Sequence, residues 1–193
     1  MPHISYPDPD SLDPQSRQYL EHARLHGTPR PESQAIRAHV PAVLRSFSET
    51  WNEVFRNGVL DHSIKELCRV FVARSVHCDY CGDQRSEKAK DSGLAEDAYQ
   101  DLLEFRTSDR YDERERTALA YTEAIVWDAS LADDALWERL HQNFTEPEIV
   151  ELGYFVAITL GQQRWLPTLG IDHYQVLDDT DAGLAPARTR ARA

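Results

Sequence analysis

The sequence lacks the features that mark several common classes of partner. Among its 193 residues, Lys and Arg number 21 against 33 Asp and Glu, which gives a formal net charge of −12. This charge argues against binding to nucleic acid or to an anionic membrane, because both are polyanions. The sequence also has no apolar run long enough to span a bilayer and no glycine-rich phosphate loop. We therefore expect neither nucleic acid nor a membrane as a partner.

The start of the sequence lacks the parts of a signal peptide. Residues 1–10, MPHISYPDPD, carry three prolines but neither a basic region nor an apolar one. We therefore expect a cytoplasmic protein in a reducing compartment. Three cysteines are too few for a disulfide scaffold. A C-x-x-C pair in this setting indicates redox chemistry or metal binding before it indicates a structural bridge.

The apolar pattern predicts an all-α fold. Apolar residues recur at spacings of three and four, and no segment alternates as a strand would. The last predicted helix opens with a Thr145–Glu148 capping box and is almost wholly apolar, so we expect it to be central. We predict helices over 14–26, from Ser33 to Gly58, over about 62–77, over 78–93, within AEDAYQDLLEF, within DERERTALAYTEAIVWD, within ADDALWERLHQNF, and from Thr145 to Gly161.

The same pattern predicts a single helical domain. We place it at residues 33–177, after an N-terminal arm at 1–32 that contains one helix. Residues 178–193 have the composition of a disordered tail, rich in Asp, Ala and Arg and poor in large apolar side chains.

The segment VHCDYCGDQRSEKAKDSG contains the first candidate site. Cys78 and Cys81 fall in the first turn of the helix predicted over 78–93. Their spacing of three residues brings the sulfurs close, and a helix N-terminus lowers the pKa of a thiol. Arg85 follows Cys81 by four residues, shares its face on such a helix, and would favour the thiolate further.

Glu66 is the second candidate residue. If the helices before and after Cys78 pack antiparallel, Glu66 lies near Arg85. A carboxylate flanked by apolar side chains needs a partner, which we expect to be Arg85 or, failing that, Lys88. The sequence SIKE allows another interpretation, in which Glu66 caps the backbone of Ser63.

These residues resemble a known family. Glu66, an eleven-residue gap and the C-x-x-C pair, within KELCRVFVARSVHCDYCGDQRSEKAKDSGL, are similar to the motif of the AhpD-like, carboxymuconolactone decarboxylase superfamily. FTEPEIVELGYFVAITLG resembles the following helices of the family, so the resemblance covers roughly residues 40–171. It implies an all-α homo-oligomer that needs no cofactor or metal and reduces hydroperoxides with an external thiol reductant. Cys81 would attack the peroxide, Cys78 would resolve the product, and Glu66 would head a proton relay.

The sequence departs from the family pattern at one position. The family has a histidine where this chain has Arg85. Arginine stabilises anions but does not exchange protons near neutral pH, so this part of the relay is missing. His77 adjoins Cys78 and is an alternative proton-transfer residue, while Tyr80 and Gln84 are candidates for lining a small pocket.

Other interpretations of these residues stay open. Arg85 as the site for a carboxylate and Glu66 as a general acid or base would make a lyase or hydrolase of a small carboxylated substrate, a chemistry that the superfamily also contains. The cysteines can instead serve a non-catalytic redox sensor, be inert, or bind zinc with His77 and His62. Cys68 lies in an apolar stripe and is expected to be a buried core thiol.

Overall fold

The structure, a computed structural model, describes residues 2–26 and 28–171. In these ranges the regular structure is helical, as the sequence predicts. A π-helical segment, Trp51–Arg56, continues directly from the third helix. The α-helices are α1 (Pro14–His26), α2 (Pro31–Arg37), α3 (Pro41–Thr50), α4 (His62–Ser75), α5 (Asp79–Gly82), α6 (Glu87–Asp91), α7 (Glu113–Val126), α8 (Asp134–Asn143) and α9 (Glu146–Trp165). Short 3₁₀ turns lie at Pro9–Ser11, Glu96–Tyr99, Leu102–Glu104, Ala129–Leu131 and Leu166–Leu169.

Helices α4, α7 and α9 pack against one another and form the main core. Aromatic rings extend this core to the π-helical segment: Phe55 stacks on Phe155 at 5.2 Å, and Trp51 lies 5.7 Å from Phe155. Cys68 is fully buried in the same core, and burial raises the pKa of its thiol to about 12. Cys68 is therefore a core thiol, as predicted.

The helix predicted from Ser33 to Gly58 is interrupted. Its first part ends at Arg37 and a new helix begins at Pro41. Proline has no N–H to donate, so it fits the first turn of a helix but not its interior. Val40 is half exposed at this break.

The prediction of one helix over 78–93 is also wrong. It divides into α5 and α6, because Ser86 caps α6 by accepting a hydrogen bond from the amide of Ala89. AEDAYQDLLEF forms two 3₁₀ turns instead of one helix. Arg74 donates to the carbonyls of Tyr99 and Gln100, so these oxygens are held by a side chain rather than by a helical turn.

Helix α9 begins at the predicted capping box but is less central than expected. Glu148 accepts hydrogen bonds from the amide and the hydroxyl of Thr145, both at 2.8 Å. The helix continues past Gly161 to Trp165. Only one of its faces packs on α4 and α7, while Val150 is 71% and Tyr154 52% exposed on the other.

The N-terminal residues are tied to the rest of the chain. The amide of His3 donates to the carbonyl of Leu169, and α1 packs on α2 and α3. The boundary that we placed after residue 32 falls inside α2, where every residue is buried. The predicted tail at 178–193 lies outside the described residues. Within the described ranges, no helix is both long and apolar enough to cross a membrane.

The stacked rings give a first prediction. Phe155→Ala should lower the free energy of unfolding by about 3–5 kcal/mol, because it removes a ring that Trp51 and Phe55 contact and leaves a cavity. Val150→Ala, on the exposed face of the same helix, should change it by less than about 0.5 kcal/mol. Urea unfolding of both variants measures the difference. Equal losses would show that the Phe155 ring does not hold the helix in place.

Candidate active site

The two cysteines of the C-x-x-C pair lie side by side. Cys78 is the N-cap residue of α5 and Cys81 is its third residue. Their Sγ atoms are 2.7 Å apart, and the residues are 2% and 3% exposed. Both thiols are free, so the pair is placed to form a bond with little movement of the backbone.

Two buried arginines hold the carbonyl groups at the end of α5. Arg69 donates to the carbonyls of Cys81 and Gln84, both at 2.8 Å. Arg85 donates to the carbonyls of Gly82 and Gln84, both at 2.7 Å. A helix of four residues leaves most of its carbonyls without an intrahelical partner, so these guanidinium groups satisfy them and offset the negative end of the helix.

Glu66 pairs with Arg69 and not with the predicted Arg85 or Lys88. Its two oxygens lie 2.7 and 2.8 Å from Nε and Nη2 of Arg69, and it also accepts the amide hydrogen of Ser86 at 2.9 Å. Both side chains are buried. The cap on Ser63 is not formed either, because α4 already begins at His62. The sequence does contain the signal for this pair, a spacing of three residues on one helix.

Arg85 lies away from the sulfurs. Its guanidinium pairs with Glu96 at 2.6 Å and lies over the ring of Tyr99 at 4.1 Å. The prediction that Arg85 shares a helix face with Cys81 is wrong, because α5 ends at Gly82. The arginines that act electrostatically on Cys81 are Arg69 and Arg37.

A small cavity lies next to Cys81, and we call it the inner cavity. Its volume is about 30 Å³, which is room for about two water molecules. Gln84 lines it, as predicted for a pocket residue. Tyr80 does not, since its hydroxyl donates to Glu32 at 2.9 Å and accepts from the amide of Ser33. The lining also includes Pro29, Ser33, Arg37, Trp51, Arg69, Cys81, Thr159 and Gln163.

Several polar atoms of this lining lack a hydrogen-bond partner among the described residues. They are Nε of Arg37, Nε1 of Trp51, Oγ1 of Thr159 and Oε1 of Gln163, and all are buried. An unpaired buried polar group costs about 1–3 kcal/mol, so such groups in a native fold indicate a polar guest. The inner cavity therefore suits a small molecule that both donates and accepts hydrogen bonds.

Among the described residues, Arg37 is a buried cation without a matching carboxylate. Its guanidinium donates to the side-chain oxygens of Gln34 and Gln162, at 3.0 and 2.7 Å, and lies 3.8 Å from the centre of the Phe47 ring. It forms no ion pair within the described ranges. Burial lowers its pKa to about 10, so it stays charged at neutral pH. An anion in the inner cavity would supply the missing counter-charge.

Comparison with known proteins shows which family part of the chain is similar to. Residues 41–124 match the Carboxymuconolactone decarboxylase family. Over this segment, which is less than half of the chain, the protein is similar to that family. Among curated proteins it is 32% identical over 132 residues to the uncharacterized protein Rv2313c of Mycobacterium tuberculosis, and 28% identical over 99 residues to the uncharacterized protein YnjA of Escherichia coli. The chain spans about half of the length of these relatives, 46% and 54%.

Solved structures share the fold. An AhpD-core, peroxidase-related protein from Ralstonia eutropha superposes with a TM-score of 0.73 at 17% identity, covering 89% of this chain and 91% of that one. A cysteine-to-alanine variant of the debrominase Bmp8, in complex with 2,3,4-tribromopyrrole, gives 0.72 at 18% identity over 98% of this chain and 94% of that one. These likenesses show the helical fold of the chain. The reaction has to be argued from the geometry of the site.

The environment of the site shifts the pKa values of the two thiols in opposite directions. The contact with Cys81 lowers the pKa of Cys78, while burial raises the pKa of Cys81 well above its ordinary value. Cys78 is therefore the first of the two thiols to ionise as the pH rises. This is the reverse of the assignment that the resemblance implies. Cys81, however, is the sulfur that faces the inner cavity.

His62 and Ser86 form a polar pair that our sequence analysis did not find. Nδ1 of His62 donates to the carbonyl of Phe55 at 2.8 Å, which leaves Nε2 to accept from the hydroxyl of Ser86 at 2.6 Å. Ser86 in turn contacts Glu66 through its amide. The predicted zinc alternative does not fit this arrangement, since no group of metal-binding side chains is present in the described ranges.

His77 is not placed for proton transfer with the sulfurs. It is exposed, in the turn between α4 and α5, with φ of 55°. In the part of the chain that the structure describes, its ring makes no hydrogen bond to either sulfur, and it does not line the inner cavity.

The buried His62 gives a second prediction. Burial lowers its pKa from 6.5 to about 4, so the unfolded chain binds this proton more tightly than the folded one. The contribution of His62 to stability is therefore complete above pH 6.5 and declines between pH 6.5 and 4, by up to about 1.4 kcal/mol per pH unit. His62→Gln should flatten this part of the pH dependence, measured by urea unfolding. Curves of equal slope in that window would contradict the assignment.

Proposed function

We propose that the protein is a thiol-dependent peroxidase. In this proposal the Cys78–Cys81 pair reduces a hydroperoxide to an alcohol or water, and an external thiol restores both cysteines. One observation supports it above the others. Cys81 lines a small cavity beside Arg37, a buried cation whose counter-charge would be a thiolate or a peroxide oxygen.

The first step is a proton transfer within the pair. The proton of Cys81 passes to the Cys78 thiolate across the 2.7 Å contact between the sulfurs. Arg37 and Arg69 stabilise the thiolate that forms on Cys81, since both lower the pKa of this thiol. The sulfur that faces the cavity thus becomes the nucleophile, and neither Arg85 nor His77 is needed to move the proton.

The second step is the reduction of the peroxide. The Cys81 thiolate attacks one peroxide oxygen, the O–O bond breaks, and the products are a sulfenic acid on Cys81 and an alkoxide that takes a proton from water. The Cys78 thiol then attacks the sulfenic acid, so that an S–S bond forms and water leaves with the proton of Cys78. Two thiols are oxidised and one peroxide is reduced. Thiol–disulfide exchange with the external reductant completes the cycle.

Glu66 has a positioning role in this mechanism instead of a relay role. Arg69 and the amide of Ser86 occupy both of its oxygens. It therefore fixes Arg69, which fixes the end of α5 next to Cys81. The same geometry weakens the lyase alternative, because neither Glu66 nor Arg85 lines the inner cavity.

We also propose that the protein is cytoplasmic and forms homo-oligomers. The apolar side chains of Val150 and Tyr154 on the outer face of α9 support this assembly, since both are more than half exposed.

Cysteine variants test the thiol mechanism. In Cys78→Ser, hydrogen peroxide should produce a sulfenic acid on Cys81, because no resolving thiol remains, and dimedone labelling with peptide mass analysis detects it. Cys81→Ser should give no sulfenic acid and no turnover. Cys68→Ala, which changes a thiol in the core, should keep turnover.

Two outcomes would contradict the mechanism. Sulfenic acid on Cys78 in the Cys81→Ser variant would show that Cys78 attacks the peroxide and that Cys81 is the resolving thiol. Unchanged turnover in a protein that lacks both cysteines would exclude thiol chemistry and favour the lyase.

The role of Arg37 gives a further prediction. Arg37→Gln should raise the pH at which the reactive thiol ionises by at least about one unit, because an opposite charge beside a thiolate is lost. The pH dependence of alkylation by iodoacetamide measures this shift in a Cys78→Ser background, where Cys81 is the thiol of the pair that reacts. Arg37→Lys keeps a positive charge and should give a smaller shift than Arg37→Gln. Arg17→Gln, an exposed change on α1, should produce no shift. If Arg37→Gln does not change the pH dependence of alkylation, Arg37 does not stabilise the thiolate.

A further inference from the structure

The residues that line the inner cavity carry more unpartnered donors than unpartnered acceptors. Three of them each have a buried donor without a partner among the described residues: Nε–H of Arg37, Nε1–H of Trp51 and the hydroxyl of Thr159. The unpartnered acceptor of this lining is Oε1 of Gln163. Arginine and tryptophan N–H groups can only donate. The cavity therefore needs a guest that mainly accepts hydrogen bonds.

The charge of the lining favours the same kind of guest. Its charged side chains are those of Arg37 and Arg69, and the described residues contribute no carboxylate to it. Glu66 neutralises Arg69 at 2.7 Å, whereas Arg37 forms no ion pair within the described ranges. One positive charge is thus left without a counter-ion, and a buried charge of this kind is costly unless it is paired.

Three separate elements hold the unpartnered donors in place. Arg37 ends α2, Trp51 begins the π-helical segment, and Thr159 lies in α9. The side-chain oxygens of Gln34 and Gln162 accept from the Nη atoms of Arg37 at 3.0 and 2.7 Å, which fixes its guanidinium and leaves Nε without a partner. The donors are therefore held before a guest arrives, and such preorganisation lowers the cost of binding.

The size of the inner cavity limits the guest to a very small one. At about 30 Å³ it has room for one or two heavy atoms, so a phosphate, a sulfate or an organic carboxylate does not fit. Phe47 and Leu166 add apolar walls, which favour a weakly hydrated ion over a strongly hydrated one. Pro29 and Gln162 in the lining are partly exposed, so the cavity lies close to the surface.

We propose that the inner cavity binds a weakly hydrated, halide-sized monoanion, which pairs with Arg37 and suppresses the ionisation of Cys81 while it is bound. Arg37 supplies one counter-charge, so the bound anion and a thiolate on Cys81 compete for it. Trp51 and Thr159 complete the set of donors to the ion. A water in the remaining volume donates to Oε1 of Gln163. This inference goes beyond the proposed peroxidase function and does not depend on turnover.

The charged and titratable groups that act on Cys81 come from three helices. They are Cys78 on α5, Arg69 on α4 and Arg37 on α2. Glu66 already neutralises Arg69, and the residues that α9 contributes to the lining are uncharged. In a chain that lacks the Cys78 thiol, a change in the ionisation of Cys81 on addition of a halide therefore reports on Arg37.

Bromide is the probe for the first test, in the Cys78→Ser variant. The pH midpoint of Cys81 alkylation by iodoacetamide should be at least about one unit higher in sodium bromide than in sodium gluconate at equal ionic strength, because gluconate is too large for the cavity. Adding Arg37→Gln should abolish this difference, whereas adding Arg17→Gln, an exposed change on α1, should keep it. Equal midpoints in the two salts, or a bromide effect that survives Arg37→Gln, would overturn the proposal.

A second variant tests the donors without removing a charge. Thr159→Val keeps the shape of the side chain and removes its hydroxyl, so this variant should fold. The bromide concentration that gives half of the shift in midpoint should rise at least about tenfold, because one hydrogen bond to a charged group is lost. A half-saturating concentration equal to that of the parent would place the ion away from these donors and overturn the site.

Diffraction separates this proposal from the peroxidase function. Bromide scatters X-rays anomalously, so a crystal of the reduced protein grown in sodium bromide locates the ion without turnover. A peak within hydrogen-bond distance of Nε of Arg37, absent from Arg37→Gln, would support the anion site even in a protein that consumes no peroxide, in which case the peroxidase function alone fails. An inner cavity without a peak in the wild type, or a peak that persists in Arg37→Gln, would overturn the anion site and leave the peroxidase function standing.

Discussion

The buried pair of Glu66 and Arg69 is the interaction on which the site depends. Arg69 has no solvent to hydrate it, so its charge is tolerable only because Glu66 neutralises it and two carbonyls accept its remaining donors. One of these carbonyls belongs to Cys81. The side-chain amide of Gln163 donates a hydrogen bond to the backbone carbonyl of Arg69. The four-residue helix that carries the cysteine pair is thus fixed by an ion pair of the preceding helix more than by its own hydrogen bonds.

Around this anchor, the site places two thiols 2.7 Å apart, with two arginines that act on Cys81. Burial raises the pKa of Cys81, and Arg37 and Arg69 lower it. A thiol that is protonated until a guest enters the cavity is protected from unspecific oxidation, since reactivity follows the thiolate. The replacement of the family's histidine by Arg85 is compatible with this chemistry, because Arg85 holds carbonyls and does not exchange protons.

The sequence predicted those parts of the fold and site that local pattern determines. The helical class, the start of α9 at Thr145 and the core thiol Cys68 follow from periodicity and capping. The partner of Glu66, Arg69, lies three residues away on the same helix and was overlooked. The predicted partner, Arg85, was wrong because α5 ends at Gly82, where tertiary hydrogen bonds from Arg69 and Arg85 hold the chain. Arg37 and Trp51 line the cavity beside Cys81 from α2 and the π-helical segment, which are distant from α5 in the sequence. No short motif signals such a long-range arrangement.

The inner cavity takes part of its lining from outside the segment that matches the family model. Residues 41–124 contain both cysteines and Arg69, but Pro29, Ser33 and Arg37 precede this range, and Thr159 and Gln163 follow it. The reactive sulfur and part of the lining of the cavity in front of it therefore come from different stretches of the chain. Insertions or substitutions in the flanking stretches can change which electrophile reaches the sulfur while the redox pair stays intact. Members of one superfamily can therefore diverge in substrate without altering their shared motif.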